Sequence, residues 1–487
     1  MKPNVLLIMV DQMRADCLSI LDHPVVDTPN LDQLARDGVL FSNAYSATPS
    51  CVPARASVLT GMSQAKTGRV GYQDKVPWQY KHTIAGEFTK AGYHTQSIGK
   101  MHVYPTRNLC GFHNVQLHDG YMHYSRFKHH TTTLESQGYT DDYLNWLREK
   151  AGSHVDLTDL GLDCNSSTVA RPWHLPEELH PTNWVTTQSI DFLRRRDSTK
   201  PFFLKMSYVR PHPPFDPPEV FYDMYKDLEM PEPPVGDWAD QTDDSRSGLS
   251  PITSKGIVPK HRLTRAQAAY YALITHIDHQ IGRFINAMQE YGVYHNTVIL
   301  FASDHGELLG DHHLFRKSLP YEGSANVPFI LADPGNNVHL QKNSTADHVT
   351  EMRDIMPTLL DAADISIPDT VDGKSVIPLC KGDNDIPHWR SYIHGEHAFG
   401  KESFHYITDG KDKYIWFSQT GREQFFDLTN DPQETYDAIA DPNYAKKIDE
   451  RRQQLIYETK DREEGYSDGT SLIVGQPVKA TLSHIGS

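Results

Sequence analysis

The chain has 487 residues, of which 38% are hydrophobic and 23% charged, and its formal net charge is −16. That length exceeds what one typical core organises, so two domains are expected, built from an ordinary globular composition. The acidic balance argues against partners such as nucleic acid or an anionic membrane surface; an anionic substrate would have to be held by locally placed cations.

The apolar run Val5–Val10 follows a single lysine and ends at Asp11. It is too short for a signal-peptide core, lacks a small-residue cleavage site, and no run reaches membrane-spanning length, so a cytoplasmic location is expected. The runs Val5–Val10, His94–Ile98, Phe202–Tyr208, Thr297–Ala302 and Val327–Leu331 read as buried parallel strands. Helical patterns lie between them. One spans Asn30–Arg36, with Gly38 as a C-cap signal; the strongest follows Thr264, a candidate N-cap, with apolar positions from Tyr270 to Met288 spaced by threes and fours. This alternation predicts an α/β sheet covered by helices on both faces. Residues 104–200 and 211–256 read as long irregular loops, lids or substrate walls carrying Tyr104, His123, Tyr124, Trp173 and His174. Beyond them, Phe404–Thr408, Lys413–Phe417 and Gln424–Leu428 alternate like short antiparallel strands, and Tyr444–Lys460 reads as a charged surface helix. The expected division is a catalytic α/β domain over 1–380 and a smaller α+β domain over 381–487, whose last twenty residues form a tail or an oligomer arm.

Polar residues gather where the strands end: Asp11-Gln12, Lys100-Met101-His102, Arg210-Pro211-His212 and Asp304-His305-Gly306. Open α/β sheets bind ligands at the carboxyl ends of their strands, so these four groups are expected to share one site. Cys51-Val52-Pro53-Ala54-Arg55 adds a cysteine at the start of a helix, a proline in its first turn and an arginine one turn on. Free N–H groups and the dipole at a helix N-terminus favour an anion, and a guanidinium suits sulfate or phosphate oxygens. The other cysteines, Cys17, Cys110, Cys164 and Cys380, are widely spaced with no C-x-x-C pair, which favours neither a disulfide framework nor a cysteine zinc site. Asp311-His312-His313 reads as packing or a substrate loop in preference to a second metal site.

The strings N-V-L-L-I-M-V-D-Q, T-P-N-L-D-Q-L-A-R-D-G-V, C-V-P-A-R-A-S-V-L-T-G, I-G-K-M-H, R-P-H-P-P-F, S-D-H-G-E-L-L-G-D-H and F-D-L-T-N-D-P-Q-E-T occur in this order from Asn4 to about Glu434. Together they resemble the formylglycine-dependent sulfatases of the alkaline phosphatase superfamily, with similarity also to the phosphonate monoester hydrolases. The resemblance implies an alkaline-phosphatase-like fold: a large mixed, mostly parallel sheet sandwiched by helices, with a C-terminal antiparallel sheet. It implies a maturation enzyme that oxidises Cys51 to formylglycine, whose hydrate offers one hydroxyl to attack sulfur and another to expel sulfate. It implies one divalent cation held by Asp11, Gln12, Asp304, His305 and the residue 51 oxygen. Calcium is favoured for such oxygen-rich ligands, with magnesium or manganese open, because His305 departs from the family's frequent Asn and Gln12 from its second Asp. Arg55, Lys100 and Lys317 would hold the sulfuryl oxygens, His212 would protonate the leaving oxygen, and His102 would orient the residue 51 diol or take its proton.

The expected activity is hydrolysis of an aryl or carbohydrate sulfate monoester, the alternative being hydrolysis of a phosphonate monoester or phosphodiester at the same site. The Lys100/His102 pair, which the phosphonate branch typically lacks, favours sulfate. Small-molecule and glycan sulfates fit equally, and a homo-oligomer is left open.

Overall fold

The eight residues Asn4–Asp11 form β1 and all of them are buried, as an apolar run without polar alternation requires of a strand covered on both faces. The computed structural model describes residues 2–120, 141–152, 162–239, 250–382, 386 and 389–485. Within it the strands, in chain order, are β2 (Gly38–Phe41), β3 (Ala44–Tyr45), β4 (His94–Gly99), β5 (Asn114–Leu117), β6 (Phe202–Pro211), β7 (Thr297–Ser303), β8 (Phe329–Ala332), β9 (Ser344–Ala346), β10 (Thr350–Glu351), β11 (Ile393–His397), β12 (Phe404–Thr408), β13 (Lys413–Phe417) and β14 (Glu423–Phe426). The main sheet runs β5-β4-β6-β1-β7-β8-β2-β9, and a separate antiparallel sheet runs β11-β12-β13-β14. β4, β6, β1 and β7 are adjacent and mutually parallel, so their carboxyl ends share one edge.

Helices cover both faces of the main sheet. Leu6, Ile8 and Val10 point into a core with the long helix Lys260–Glu290 (Ile274, Ile277, Ile281) and the helix Pro181–Arg195 (Trp184, Val185). Val5, Leu7 and Met9 point the other way, against the helices Cys51–Thr60 and Ile355–Ala362 (Val58, Met356, Leu359). Each flank buries a contiguous apolar face, the driving force for closing such layers.

Several local expectations are corrected. β8 is antiparallel to both of its neighbours: a run apolar on both faces carries no information about strand sense. The long helix begins at Lys260 after Pro259, so Thr264 lies inside it and caps nothing. Its first residues are exposed or half-buried and fall outside the apolar period. Gly38 opens β2 and is not a helix cap. A Cβ there would stand 2.0 Å from the Leu331 carbonyl oxygen, so the strands can approach only over glycine.

The stretch 104–200 is not simply loop. It contains β5 and the helices Asp142–Ala151 and Pro181–Arg195, the latter capped by the His180 ring, with Pro181 at its first position. The stretch 211–256 likewise contains the helix Glu219–Tyr225. Trp173 belongs to the core, its indole N–H donating to the Pro176 carbonyl at 3.2 Å, whereas His123 and Tyr124 lie outside the described residues.

The three expected C-terminal strands form, joined by β11, whose mixed polarity hid it. The surface helix spans Ala445–Thr459. The end of the chain folds back on its own body: the Leu482 N–H donates to the Gly68 carbonyl at 2.8 Å and the Val70 N–H to that of Ala480 at 3.1 Å. No helix among the described residues is long and apolar enough to cross a membrane.

Candidate active site

Asp11 closes β1, Asp304 and His305 follow β7, Lys100 follows β4 and His212 follows β6, so the shared edge gathers all four groups. Cys51 is the first residue of the ten-residue helix Cys51–Thr60, after Ser50 in extended conformation. Its Sγ lies 3.1 Å from His305 Nε2, 3.7 Å from Lys100 Nζ and 3.8 Å from Asp11 Oδ1. One turn on, Arg55 is buried and uses its whole fork: Nε donates to Asp304 Oδ2 at 2.8 Å, one terminal nitrogen to the Lys100 carbonyl and to Ser207 Oγ at 3.0 Å each, and the other to Asp11 Oδ2 at 3.5 Å. Lys100 Nζ pairs with Asp11 Oδ2.

Gln12 has a left-handed φ of 70°. Its amide nitrogen donates to Glu307, and its Oε1 accepts from Lys317 Nζ at 2.5 Å. A carboxylate on one end and an ammonium on the other fix the amide's orientation. Lys317 Nζ also donates to His212 Nε2 at 2.6 Å. His212 Nδ1 lies 2.8 Å from the Pro213 carbonyl and His305 Nδ1 lies 3.0 Å from the Gly306 carbonyl. A carbonyl only accepts, so both rings carry their proton on Nδ1 and turn a lone pair at Nε2 inward. His102 sits at φ 57° with its ring edge-on to Tyr72 at 5.9 Å; its N–H and that of Met101 both donate to Asp119 Oδ1, at 2.9 and 2.8 Å.

These contacts set the charges. Burial alone would raise the Asp11 carboxyl, but Lys100, His212, Arg55 and His305 together hold it well below the carboxylate range. Burial and Asp11 push the Cys51 thiol up, yet Lys100, Lys317 and His305 outweigh them and leave it below its ordinary value. Burial lowers His305, but Asp304 and Cys51 reverse this and raise it. His212 goes the other way: burial and then Lys317 hold it well below 6.5, a departure from the near-neutral imidazole expected of it.

Asp11, Gln12, Cys51, Arg55, Lys100, His212, Asp304, His305 and Lys317, all singled out from the sequence, therefore join one connected network. Among the described residues, Asp11, Cys51, Asp304 and His305 form the one cluster whose ligand atoms lie within 4.8 Å of one another. Two carboxylates, an inward imidazole lone pair and the nearby Gln12 oxygen fit a hard or borderline divalent cation. Asp311-His312-His313 packs instead: Asp311 pairs with Arg14 at 2.6 Å and His312 lies against Trp238 at 4.5 Å.

Sequence reasoning missed Glu307, which is fully buried and orients Gln12 while accepting from the Leu309 and Arg316 N–H groups. It also missed Asp119, and Lys205, whose Nζ donates to the Lys100 carbonyl at 2.8 Å from within β6. Glu307 was within reach, three residues after Asp304 in the S-D-H-G-E string; nothing local marks the other two.

The sulfatase family model matches residues 3–365, and the model for the C-terminal region of N-sulphoglucosamine sulphohydrolase matches residues 310–461. The chain is 59% identical over 485 residues to an arylsulfatase of Clostridium perfringens, covering 100% of both chains. It is 30% identical to the multifunctional alkaline phosphatase superfamily protein PehA of Trinickia caryophylli, over 93% of this chain and 95% of that one. Among solved structures it resembles the phosphonate monoester hydrolase of Agrobacterium radiobacter, with a TM-score of 0.73 and 25% identity over 94% of this chain and 95% of that one. With the cysteine-headed helix and its carboxylates at one sheet edge, these matches establish that the chain belongs to the sulfatase family.

Proposed function

We propose that the chain hydrolyses aryl sulfate monoesters to the free alcohol and inorganic sulfate, with Cys51, oxidised to formylglycine, as nucleophile and calcium as the bound cation. The observation that carries this reading is the position of Cys51 Sγ at a helix N-terminus, between the His305 lone pair, Asp11 and the Lys100 ammonium. Asp11, Asp304, His305 and the Gln12 oxygen would hold the cation, which supplies positive charge to acidify a nearby hydroxyl and to neutralise the sulfuryl oxygens.

The protein's own groups do the rest. Arg55 is locked by Asp304, Ser207 and the Lys100 carbonyl, so it presents fixed positive charge at the nucleophile and aligns the Lys100 segment. Lys100 and Lys317 hold the sulfuryl oxygens. Because His212 Nδ1–H is committed to the Pro213 carbonyl, Nε2 is the ring atom that can carry a proton to the leaving oxygen, and Lys317 Nζ, in contact with it, is the donor that recharges it. His102, set by Asp119, orients the residue 51 side chain.

Mass spectrometry of the peptide spanning residue 51, on protein made with a maturation enzyme, tests the nucleophile: an unmodified thiol in fully active protein overturns it. Chelation should abolish sulfate release and calcium should restore it better than magnesium or manganese. Phosphonate monoester hydrolysis is the second reading, favoured by the likeness to the Agrobacterium enzyme. A large preference for an aryl phosphonate monoester over the matching aryl sulfate would select it.

A further inference from the structure

The segment R-P-H-P-P-F-D carries His212 between an arginine and an aspartate that have no part in the network around Cys51. Arg210 lies at the end of β6, is 1% exposed, and turns its fork forward over the loop. Its Nε donates to Asp216 Oδ1 at 2.6 Å and one terminal nitrogen to Asp216 Oδ2 at 2.7 Å. The other terminal nitrogen donates to the His212 carbonyl at 3.1 Å. One guanidinium thus closes the loop from its first residue to its last and grips the His212 backbone in between.

Both ends of the loop are anchored. Pro211 pairs with Asp11 after a register shift between β1 and β6, which brings the loop to the carboxyl edge of the sheet. Beyond it, the buried Phe215 ring stands edge-on to Tyr270 at 5.5 Å, and the Phe215 and Pro217 carbonyls accept from the Arg171 and Trp173 N–H groups at 2.9 Å each. His180 Nδ1 accepts from the Thr182 N–H at 3.2 Å, so its proton sits on Nε2, which lies 3.7 Å from Asp216 Oδ1. Burial would raise the Asp216 carboxyl, but Arg210 and His180 hold it below its ordinary value. Between the anchors, Pro211, Pro213 and Pro214 have no N–H to donate, and the Arg210 fork supplies the donors that the backbone lacks. The grip matters for the ring: His212 Nδ1 is tied to the Pro213 carbonyl, so the direction of Nε2 follows the backbone of residues 212 and 213.

We propose that Arg210 and Asp216 are positioning residues for proton delivery, holding the His212 backbone so that Nε2 meets the leaving oxygen of the ester. Each is at most 1% exposed, so neither reaches the substrate and both act through His212. A buried ion pair contributes little net stability over apolar residues of the same volume, whereas a misplacement of about 1 Å at a reacting group can cost roughly 100-fold in rate. This rests on the sulfatase reading with His212 as its proton donor.

The test compares sulfate release from phenyl sulfate, whose leaving oxygen needs a proton, with release from 4-nitrophenyl sulfate, whose stabilised phenolate needs little help. Asp216→Asn, which loosens the fork at nearly constant volume, loses at least about tenfold more kcat/KM on phenyl sulfate than on the nitrophenyl ester. The double variant Arg210→Met/Asp216→Leu strands no buried charge, which protects folding, and shows the same selectivity. Arg210→Lys keeps the charge without the fork and shows it too. Equal loss on both esters, no loss on either, or wild-type behaviour of Arg210→Lys overturns the proposal, the pair then serving the fold or the charge balance alone. His212→Ala is the reference: equal slowing of both esters there counts against His212 as proton donor, and a wild type that releases sulfate from neither ester counts against the sulfatase reading.

Discussion

The C-terminal sheet and the sheet-edge site both bury charge, but they settle it differently. Around the antiparallel sheet, cations meet anions in matched forks. Arg462 takes the two oxygens of Glu396 at 2.7 and 2.8 Å and reaches Glu464 at 2.7 Å. Arg451 takes Asp412 at 2.6 and 3.0 Å. In the site, positive charge runs ahead of its partners. Lys317 donates to a neutral amide and a neutral imidazole, and Lys205 to a carbonyl and a thioether, with no carboxylate salt bridge to either among the described residues. Burial and Arg55 accordingly pull Lys205 well below its ordinary value. A buried cation without a counter-ion is costly, so a fold keeps one only where something else compensates. Lys205 accordingly gives up its charge, whereas the half-buried Lys317 keeps a donor free of any carboxylate for an anionic substrate: one region spends its ion pairs on holding shape, the other leaves a cation open for binding.

That contrast can be broken most sharply at the nucleophile. Cys51→Ala should lower kcat by about 10⁴-fold or more while leaving the thermal midpoint nearly unchanged; substantial residual turnover would show that the thiol-derived group is not the attacking species. Lys317→Ala should cost about 10²–10³-fold in kcat/KM with no loss of stability, because no ion pair is broken. If urea titration finds it strongly destabilised, the open-charge description of the site fails. Arg462→Ala should do the reverse, destabilising by about 3–5 kcal/mol through the stranded Glu396 while the folded fraction keeps its kcat/KM.

The smallest effect is on pH dependence. Burial would raise Glu396, but Arg462 and His405 outweigh it and hold the carboxyl at about 2 against an ordinary 4.5. A depressed carboxyl stabilises the folded state above its unfolded value, so this contribution is complete above pH 4.5 and lost as pH falls toward 2. It is worth roughly 3 kcal/mol. Urea midpoints measured at pH 6, 4 and 3 should decline accordingly, and the decline should flatten in Arg462→Ala.

Much of the site could be read before any coordinates, because chemistry in this fold is written at strand ends. Asp11, Lys100, His212 and Asp304 each follow an apolar run, and the carboxyl edge of a parallel sheet brings such positions together whatever the chain between them does. What escaped were groups acting through other groups. Asp119 holds the Met101–His102 backbone from eighteen and seventeen residues away, and Lys205 sits mid-strand among apolar neighbours with nothing local to mark its use. β11 escaped because its Ile-His-Gly-Glu-His composition alternates between a core face and an ion-paired face, a pattern that resembles a loop until its partner strand is known.

Local periodicity and fixed strand and helix geometry are enough to tell which segments are buried, which residue heads the reactive helix and which side chains can reach the carboxyl edge of the sheet. Tertiary contacts alone set the sense of β8, the meeting of His212 Nε2 with Lys317 and of His305 Nε2 with Cys51, and the approach of β11 to the segment before Cys51. Those depend on contacts between residues tens to hundreds of positions apart, where hydrogen-bond partners and burial, and not local composition, set the outcome.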